Sequence, residues 1–291
     1  MKYPTLIDMH MHTDASDGTD TAAQIINAVK NEGIGIFAVT DHDTAKNCTV
    51  IRGLLSKDDP YFINGVEFSC KDDFGKYHIL GYAYKAEDSP VCELTAFTHS
   101  QRVRKVRMRL QMLEENYEMT FPEDELEALF RLNNPGKPHI ANLMIKHGYA
   151  ANREEAIRDV LNKLRVKGVA SINPQRAIYA IKKSGGIPVL AHAVFGDGSQ
   201  LLDEAELHRR IQELKGMGLM GLECYYSGFS PKQQQLMLSL ADQYQLLISA
   251  GSDYHGKNKM IFLGDTNLAD ANKAPESLHA FLDQCLSLSG Y

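Results

Sequence analysis

Nine residues able to ligate metal ions punctuate the apolar runs of this 291-residue chain. His10-x-His12 follows Thr5-Leu-Ile-Asp-Met9, and Asp17 comes on the next loop. Thr40-Asp-His42-Asp follows Ile36-Phe-Ala-Val39, Glu67 follows Phe62-Ile-Asn-Gly-Val66, and His78 sits in Tyr77-His-Ile-Leu80. His192 follows Ile187-Pro-Val-Leu-Ala191, and Asp253-Tyr-His255 follows Leu246-Leu-Ile-Ser-Ala250. Imidazoles and carboxylates in this mixture suit hydrolytic first-row cations, which neutralise anionic oxygens and activate water. Taken singly, each signal has a plainer reading: His-x-His is short enough to arise by chance, and Asp41-His42-Asp43 reads equally as a helix cap. Six of the eleven histidines fall in or beside strand-like runs together with three carboxylates, and that joint pattern points to a multinuclear metal site.

Such residues converge when parallel strands deliver their ends to one rim of an α/β barrel. Histidines at i and i+2 on an extended strand project from the same face, so His10 and His12 can grip one ion together. The first ninety residues alternate short β-rich runs with helical stretches, as parallel strands joined by crossover helices would. A helix is expected from about Thr19-Asp20 to Asn31-Glu-Gly33, with Ala22, Ile25, Ile26 and Val29 on its apolar face and Gly33 as its stop. Residues 91–165 change character to charged amphipathic stretches broken at Pro122 and Asn133-Asn-Pro-Gly-Lys-Pro138. The expected organisation is therefore a barrel from residues 1–90 and 166–291, interrupted by a helical insertion subdomain at 91–165.

Within that insertion, His99-Ser-Gln-Arg102-Val-Arg104-Lys105-Val-Arg107-Met-Arg109 concentrates five basic residues. At helical spacing Val103, Val106, Leu110 and Leu113 share one face, with Arg102, Lys105 and Arg109 along its flank. A basic run of this kind is ordinarily a solvated face; beside a metal site it becomes a cradle for an anion. The guanidinium fork of Arg102 and the compact charge of Lys105 suit a terminal phosphate. The net charge of −6 gives no global attraction to nucleic acid, so capture of an anion must be local. The five cysteines are scattered without CxxC spacing, which argues against a disulfide framework or zinc ribbon. No run of about 18 apolar residues is present to span a bilayer, and the chain reads as cytoplasmic with no protein partner implied.

The ordered set Asp8-Met-His10-Met-His12, Ser16-Asp-Gly-Thr19, Val39-Thr-Asp-His-Asp43, Gly65-Val-Glu67, Tyr77-His78, Ala191-His192 and Gly251-Ser-Asp-Tyr-His255 resembles the polymerase and histidinol phosphatase (PHP) family of metal-dependent phosphoesterases. The resemblance implies a distorted (β/α)7 barrel and three metal sites. These would use His10, His12, Glu67 and Asp253 in the first, Glu67, His78 and His192 in the second, and Asp17, His42 and His255 in the third. Manganese is favoured, with iron, zinc or magnesium as alternatives. One departure is Ala193, where the family commonly has proline after the histidine. The insertion resembles the branch containing 3′,5′-nucleotide bisphosphate phosphatases and 5′-to-3′ exoribonucleases. Gly136-Lys-Pro-His139 is similar to its Gly-Arg-Pro-His segment, which implies substrate-binding roles for Lys137 and His139 beside Arg102 and Lys105.

The expectation is therefore a phosphatase that removes the 3′-phosphate of nucleoside 3′,5′-bisphosphates, such as adenosine 3′,5′-bisphosphate, by attack of a metal-bound hydroxide. Short single-stranded 5′-phosphorylated RNA is a second expected substrate. The general acid stays open among Asp41, Asp43 and the metal ligands. Alternatives are a histidinol phosphatase, whose small cationic substrate gives no reason for the basic run, an amidohydrolase acting on C–N bonds, and a non-enzymatic metal-dependent binding module.

Overall fold

Among the described residues, 3–87 and 89–291 of a computed structural model, seven strands form one mixed sheet in chain order. They are β1 (Leu6–Asp8), β2 (Ile34–Val39), β3 (Tyr61–Lys71), β4 (Lys76–Tyr82), β5 (Ile187–Leu190), β6 (Gly221–Tyr226) and β7 (Leu247–Gly251). All six apolar runs named in the sequence fall on strands, and Gly221–Tyr226 is a seventh. Helices separate most of them: α1 (Ala22–Asn31) and α2 (Lys46–Leu54) early, then α3 (Pro90–Tyr117), α4 (Glu123–Phe130), α5 (Lys137–Lys146) and the short α6 (Arg153–Glu155), which continues as a π-helix over Ala156–Leu161. The chain closes with α7 (Pro174–Lys183), α8 (Glu204–Gly216), α9 (Pro231–Gln243) and α10 (Glu276–Ser289). This is the α/β class, a distorted barrel of seven strands with a helical insertion between β4 and β5.

The sheet is not uniformly parallel, which corrects the expectation for the first ninety residues. β4 runs antiparallel to both β3 and β5. Lys71 pairs with Lys76, leaving four residues to reverse the chain, far fewer than the dozen or so a parallel crossover needs. Asp72 fixes that turn by accepting the Phe74 and Gly75 amides at 2.9 Å each. β3 also extends beyond Val66, because it changes partner midway: Tyr61–Asn64 pair with β2, and Gly65–Lys71 pair with β4. Glu67 therefore lies inside a strand, not after one, while His78 lies within its run as expected.

Between β1 and β7 no ladder runs; the seam is joined just beyond the strand ends. Met9 N donates to Ala250 O at 2.9 Å, Asp253 N to His10 O at 2.8 Å, and His12 N to Tyr254 O at 2.8 Å. The buried Asp8 carboxylate reinforces the seam, accepting from Ser252 N at 3.0 Å, Ser252 Oγ at 2.6 Å and Gly264 N at 2.9 Å. Helix α1 shows how local sequence supports the sheet. Thr21 and Gln24 form a reciprocal capping box, Gly33 takes a left-handed φ of 70°, and Ile25, Ile26 and Val29 bury against Ile34, Phe37, Val39 and Phe62.

The chain divides into two compact units, one holding residues up to Thr95 and from Ile172 onward, the other Ala96–Ser171. The second has its own core, in which Val106, Leu110 and Leu113 of α3 pack with Leu129 of α4, Ile140, Ala141 and Met144 of α5, and Ala156, Leu161 and Leu164. Pro122 stands at the N-cap of α4 and Pro138 in the first turn of α5, where a missing amide hydrogen costs nothing. No helix of the described residues is long and apolar enough to cross a membrane.

The changeover in β3 depends on Gly65. A Cβ there would stand 2.4 Å from the Val39 carbonyl oxygen and 3.0 Å from its carbon, both backbone atoms that the β2–β3 pairing holds in place. Gly65→Ala is expected to cost about 1–3 kcal/mol through overpacking, read as a lowered midpoint in a thermal melt.

Candidate metal centre

The first unit gathers all nine sequence-predicted ligands into one cluster, although they come from six different strands or their flanking loops. His10 and His12 follow β1, His42 follows β2, Glu67 and His78 sit on the paired strands β3 and β4, His192 follows β5, and Asp253 and His255 follow β7. His10, His12, Glu67, His192, Asp253 and His255 are buried, while Asp17 is half-exposed on its loop. Glu67 is the hub. Its Oε2 lies 3.4 Å from His10 Nε2, 3.2 Å from His12 Nε2 and 3.1 Å from His42 Nδ1. Its Oε1 lies 2.9 Å from His78 Nδ1 and 3.2 Å from His192 Nε2.

Two further groupings surround that hub. Asp253 Oδ1 faces His10 Nε2 at 3.5 Å and His12 Nε2 at 3.3 Å. Asp17 stands 3.3 Å from His255 Nε2, 3.8 Å from His42 Nε2 and 3.6 Å from His12 Nδ1. Three sets could each hold an ion: His12, Asp17, His42 and His255; His10, His12 and Glu67; and His42, Glu67 and His78. The fit to cations is chemical as well as geometric. His10 Nε2, His12 Nε2, His42 Nδ1 and Glu67 Oε2 are buried without hydrogen-bond partners, all within one knot of donor atoms. Orphaned polar atoms are costly in a folded interior, and lone pairs converging in this way suit a cation.

Electrostatics pull the groups of the cluster in opposite directions. Burial alone would raise the Glu67 carboxyl, yet the imidazoles of His42, His78 and His10 outweigh it and hold it well below the carboxylate range. Asp253 is lowered in the same manner, against its burial, by His10, His12 and Lys259. Burial also opposes protonation of His12, but Asp253 and Glu67 carry it up to about 9. His42 goes the other way: burial pushes it down to about 3 despite the pull of Glu67.

Behind the ligands stand groups that sequence reasoning did not single out. Glu223 of β6 is fully buried and accepts from His10 Nδ1 at 2.8 Å with one oxygen and from the His192 amide at 2.8 Å with the other. It thereby directs His10 Nε2 toward Glu67 and holds His192 at φ 26°, ψ 49°, an unusual conformation for a residue with a side chain. Asp253, with φ 60°, is held by Tyr226 Oη at 3.0 Å and Lys259 Nζ at 2.6 Å from its second oxygen. The one available signal for Glu223 was a lone carboxylate in the otherwise apolar Gly221-Leu-Glu-Cys-Tyr-Tyr226. Asp41, a candidate proton donor in the sequence, uses its two oxygens to accept from Thr13 N at 2.8 Å, Thr13 Oγ1 at 2.6 Å and Ser16 Oγ at 2.6 Å, which makes it a brace between two loops.

The remaining predicted residues belong to the helical unit. Arg102 and Lys105 lie on α3, and Lys137 and His139 in the first turn of α5. His139 Nδ1 accepts the Gly136 amide at 3.2 Å, and Lys137 donates to Asn162 Oδ1. Arg107, from the same basic run, stacks over the Phe130 ring at 3.7 Å instead of facing a ligand.

Glu223→Gln places a neutral amide behind His10 and is expected to weaken divalent-metal binding about 10- to 100-fold, measurable by metal titration with little change in secondary structure. A second expectation concerns pH. His12 has a folded pKa of about 9 against 6.5 for the free side chain, so its contribution to stability is whole below about 6.5 and is lost as pH rises through 9. Metal-stripped protein should therefore melt progressively lower between those values. Metal-loaded protein should not follow that decline, since ligation requires neutral imidazole. Equal pH dependence of the two forms would contradict this account.

Comparison with known proteins agrees with this geometry. The family model described as "PHP domain" matches residues 8–170. The 5′-3′ exoribonuclease Rnm of Escherichia coli strain K12 is 29% identical over 273 residues, covering 90% of this chain and 89% of the relative. A phosphoribosyl 1,2-cyclic phosphate 1,2-diphosphodiesterase of Eggerthella lenta is 27% identical, covering 86% and 94% respectively. A 3′,5′-nucleoside bisphosphate phosphatase of Chromobacterium violaceum is 24% identical, covering 86% and 87%. All three names describe hydrolysis of phosphate esters by proteins of matching length, and the chain itself carries the histidine and carboxylate cluster that such hydrolysis uses. It belongs to the PHP family of metal-dependent phosphoesterases.

Proposed function

We propose that this chain removes the 3′-phosphate from nucleoside 3′,5′-bisphosphates, releasing a nucleoside 5′-monophosphate and inorganic phosphate in the cytoplasm. The observation that carries the reading is the Glu67 hub, a buried carboxylate ringed by five imidazoles, of which His10 Nε2, His12 Nε2 and His42 Nδ1 face it without hydrogen-bond partners, a donor set that suits divalent cations. In this reading three ions partition among His10, His12, Glu67 and Asp253; Glu67, His78 and His192; and Asp17, His42 and His255, with manganese preferred over iron, zinc or magnesium. When bound, such ions supply positive charge to phosphoryl oxygens and lower the pKa of water. The protein's part is positional. Glu67 keeps one oxygen beside His10, His12 and His42 and the other beside His78 and His192, Glu223 and Tyr226 keep His10 and Asp253 aimed inward, and burial of the cluster excludes bulk water.

Arg102 and Lys105 on α3, with Lys137 and His139 on α5, are assigned to the phosphate that is retained. The bisphosphate phosphatase of C. violaceum supports this choice, and the exoribonuclease name of the E. coli relative supports short 5′-phosphorylated RNA as a second substrate. In that case the nucleotide beyond the scissile bond takes the place of a proton on the departing phosphate, and the same hydrolytic chemistry applies.

Manganese-loaded protein incubated with adenosine 3′,5′-bisphosphate is expected to yield 5′-AMP and phosphate by chromatography, with no turnover after chelation. Reaction in ¹⁸O-water should place one solvent oxygen in the released phosphate and none in 5′-AMP. Release of 3′-AMP would reverse the assigned orientation, and a stable phosphorylated side chain would exclude direct attack by water. Replacing both Arg102 and Lys105 by alanine is expected to raise KM for the bisphosphate about tenfold or more, the loss of a charge-assisted contact, with a smaller effect on a simple phosphomonoester.

A further inference from the structure

The loop after β7 carries the two most exposed large apolar side chains among the described residues: Met260 is fully exposed and Phe262 is 81% exposed. Neither sits on a loose segment. Lys257 N donates to Thr19 Oγ1 at 3.0 Å, Asn258 Nδ2 to Asp17 O at 2.7 Å, and Lys259 Nζ to Asp253 Oδ2 at 2.6 Å. On the far side Leu263 is buried in the core with Ile34, and Gly264 N donates to Asp8 Oδ2 at 2.9 Å. Met260-Ile-Phe262 is therefore a short span held at both ends, and its near anchors are the segments that carry Asp17 and Asp253 of the cluster. With consecutive Cα atoms about 3.8 Å apart, Phe262 lies within about 11 Å along the chain of Lys259, whose ammonium touches that cluster. Exposed apolar residues scattered singly are ordinary; a contiguous run fixed at the edge of a buried charged site is a surface that meets something.

The composition of the loop says what that is. Lys257, Lys259, Met260 and Phe262 interleave cations with a thioether and an aromatic ring. Single-stranded nucleic acid matches such a surface, its phosphates meeting the ammonium groups and its bases stacking on apolar faces whatever their sequence. A nucleoside bisphosphate has nothing to place there, because its 3′-phosphate ends at the metal centre. In an oligonucleotide the same phosphate continues into a second nucleotide. Hydrolysis joins a water oxygen to phosphorus and breaks the bond to the 3′-oxygen, which takes the water's proton. A nucleoside 5′-monophosphate departs, and the shortened strand keeps a 5′-phosphate. The second nucleotide thus stays on the attacked phosphorus throughout and needs a seat at the edge of the cluster. We propose that Met260 and Phe262, with Lys257, are that seat, holding the nucleotide that follows the scissile phosphate of short single-stranded RNA. The inference rests on the proposed phosphoesterase function, of which it concerns the RNA substrate, and it uses residues of the first unit alone.

The test uses the full manganese-loaded chain. Because the chain has no tryptophan, Phe262→Trp introduces a single fluorescent reporter. Its emission is expected to be quenched by a 5′-phosphorylated tetraadenylate whose first bridging 3′-oxygen is replaced by a methylene group, which binds without turnover, and not by adenosine 3′,5′-bisphosphate. In steady-state hydrolysis, Phe262→Ala is expected to raise KM for 5′-phosphorylated tetraadenylate about tenfold, the loss of one stacked base, against a much smaller change for the bisphosphate. Met260→Ser should act in the same direction, and Lys257→Ala should flatten the salt dependence of RNA binding. Equal changes for both substrates, or no quenching by the analogue, overturn the proposal. So does a change of oligomeric mass in Phe262→Ser with the discrimination between substrates intact, which would assign the run to a contact between copies of this chain. Hydrolysis of RNA with the bisphosphate left untouched would sink the bisphosphate reading and leave the role of the loop standing, whereas turnover of the bisphosphate without binding of the RNA analogue would do the reverse.

Discussion

The Glu67 carboxylate is the constraint around which the first unit is built. It sits fully buried with five imidazole nitrogens within 3.4 Å of its oxygens. A carboxylate at that depth needs positive charge nearby, and imidazoles at that depth resist becoming the source of it. The opposed behaviour of His12, raised to about 9, and His42, lowered to about 3, shows the conflict within the side chains themselves. Divalent cations, which the PHP family implies, would resolve it by supplying positive charge beside Glu67 while the surrounding imidazoles stay neutral.

The scaffold meets that constraint with a second layer of acids set behind the first. Asp8 ties the end of β1 to the chain after β7, Asp41 ties the loop after β1 to the end of β2, and Glu223 ties β6 to His10 and the His192 backbone. Each uses its oxygens on backbone amides, hydroxyls or a ring nitrogen of the neighbouring chain, so these carboxylates orient ligands without competing to be ligands. Glu223 holds the His192 amide at positive φ, and Asp253, also at positive φ, is held by Tyr226 and Lys259, strain that these hydrogen bonds sustain. This explains how a barrel lacking a β1–β7 ladder still presents a fixed ligand set across that seam.

Much of this was legible in the sequence because it rests on local pattern. Strand-like apolar runs, the helical period of α1 and the prolines opening α4 and α5 are short-range signals, and each marks the element found. The nine clustered residues were legible for a related reason, since histidine and aspartate beside apolar strands are out of place unless they serve something. What escaped depends on pairing. The reversal of β4 follows from a four-residue turn whose meaning appears only with the Lys71–Lys76 register, and the length of β3 from its exchange of partners at Gly65. Glu223 escaped because its function lies in two contacts, to residues 213 and 31 positions away, that no spacing rule connects.

Arg109 shows a different limit, since the periodicity did place it on the flank of the apolar face beside Arg102 and Lys105. Periodicity orders side chains around an axis but says nothing of depth. The three residues look equivalent on a helical wheel, and only packing within the helical unit buries one of them. Burial changes what the residue can contribute. A solvated arginine shares its charge with water and screening ions, whereas one fixed in an apolar wall holds its donors in place and gains strength from the low dielectric around it. The cluster around Glu67 and the cation at Arg109 are thus charge imbalances of opposite kind, acidic and lone-pair-rich in one unit, cationic in the other.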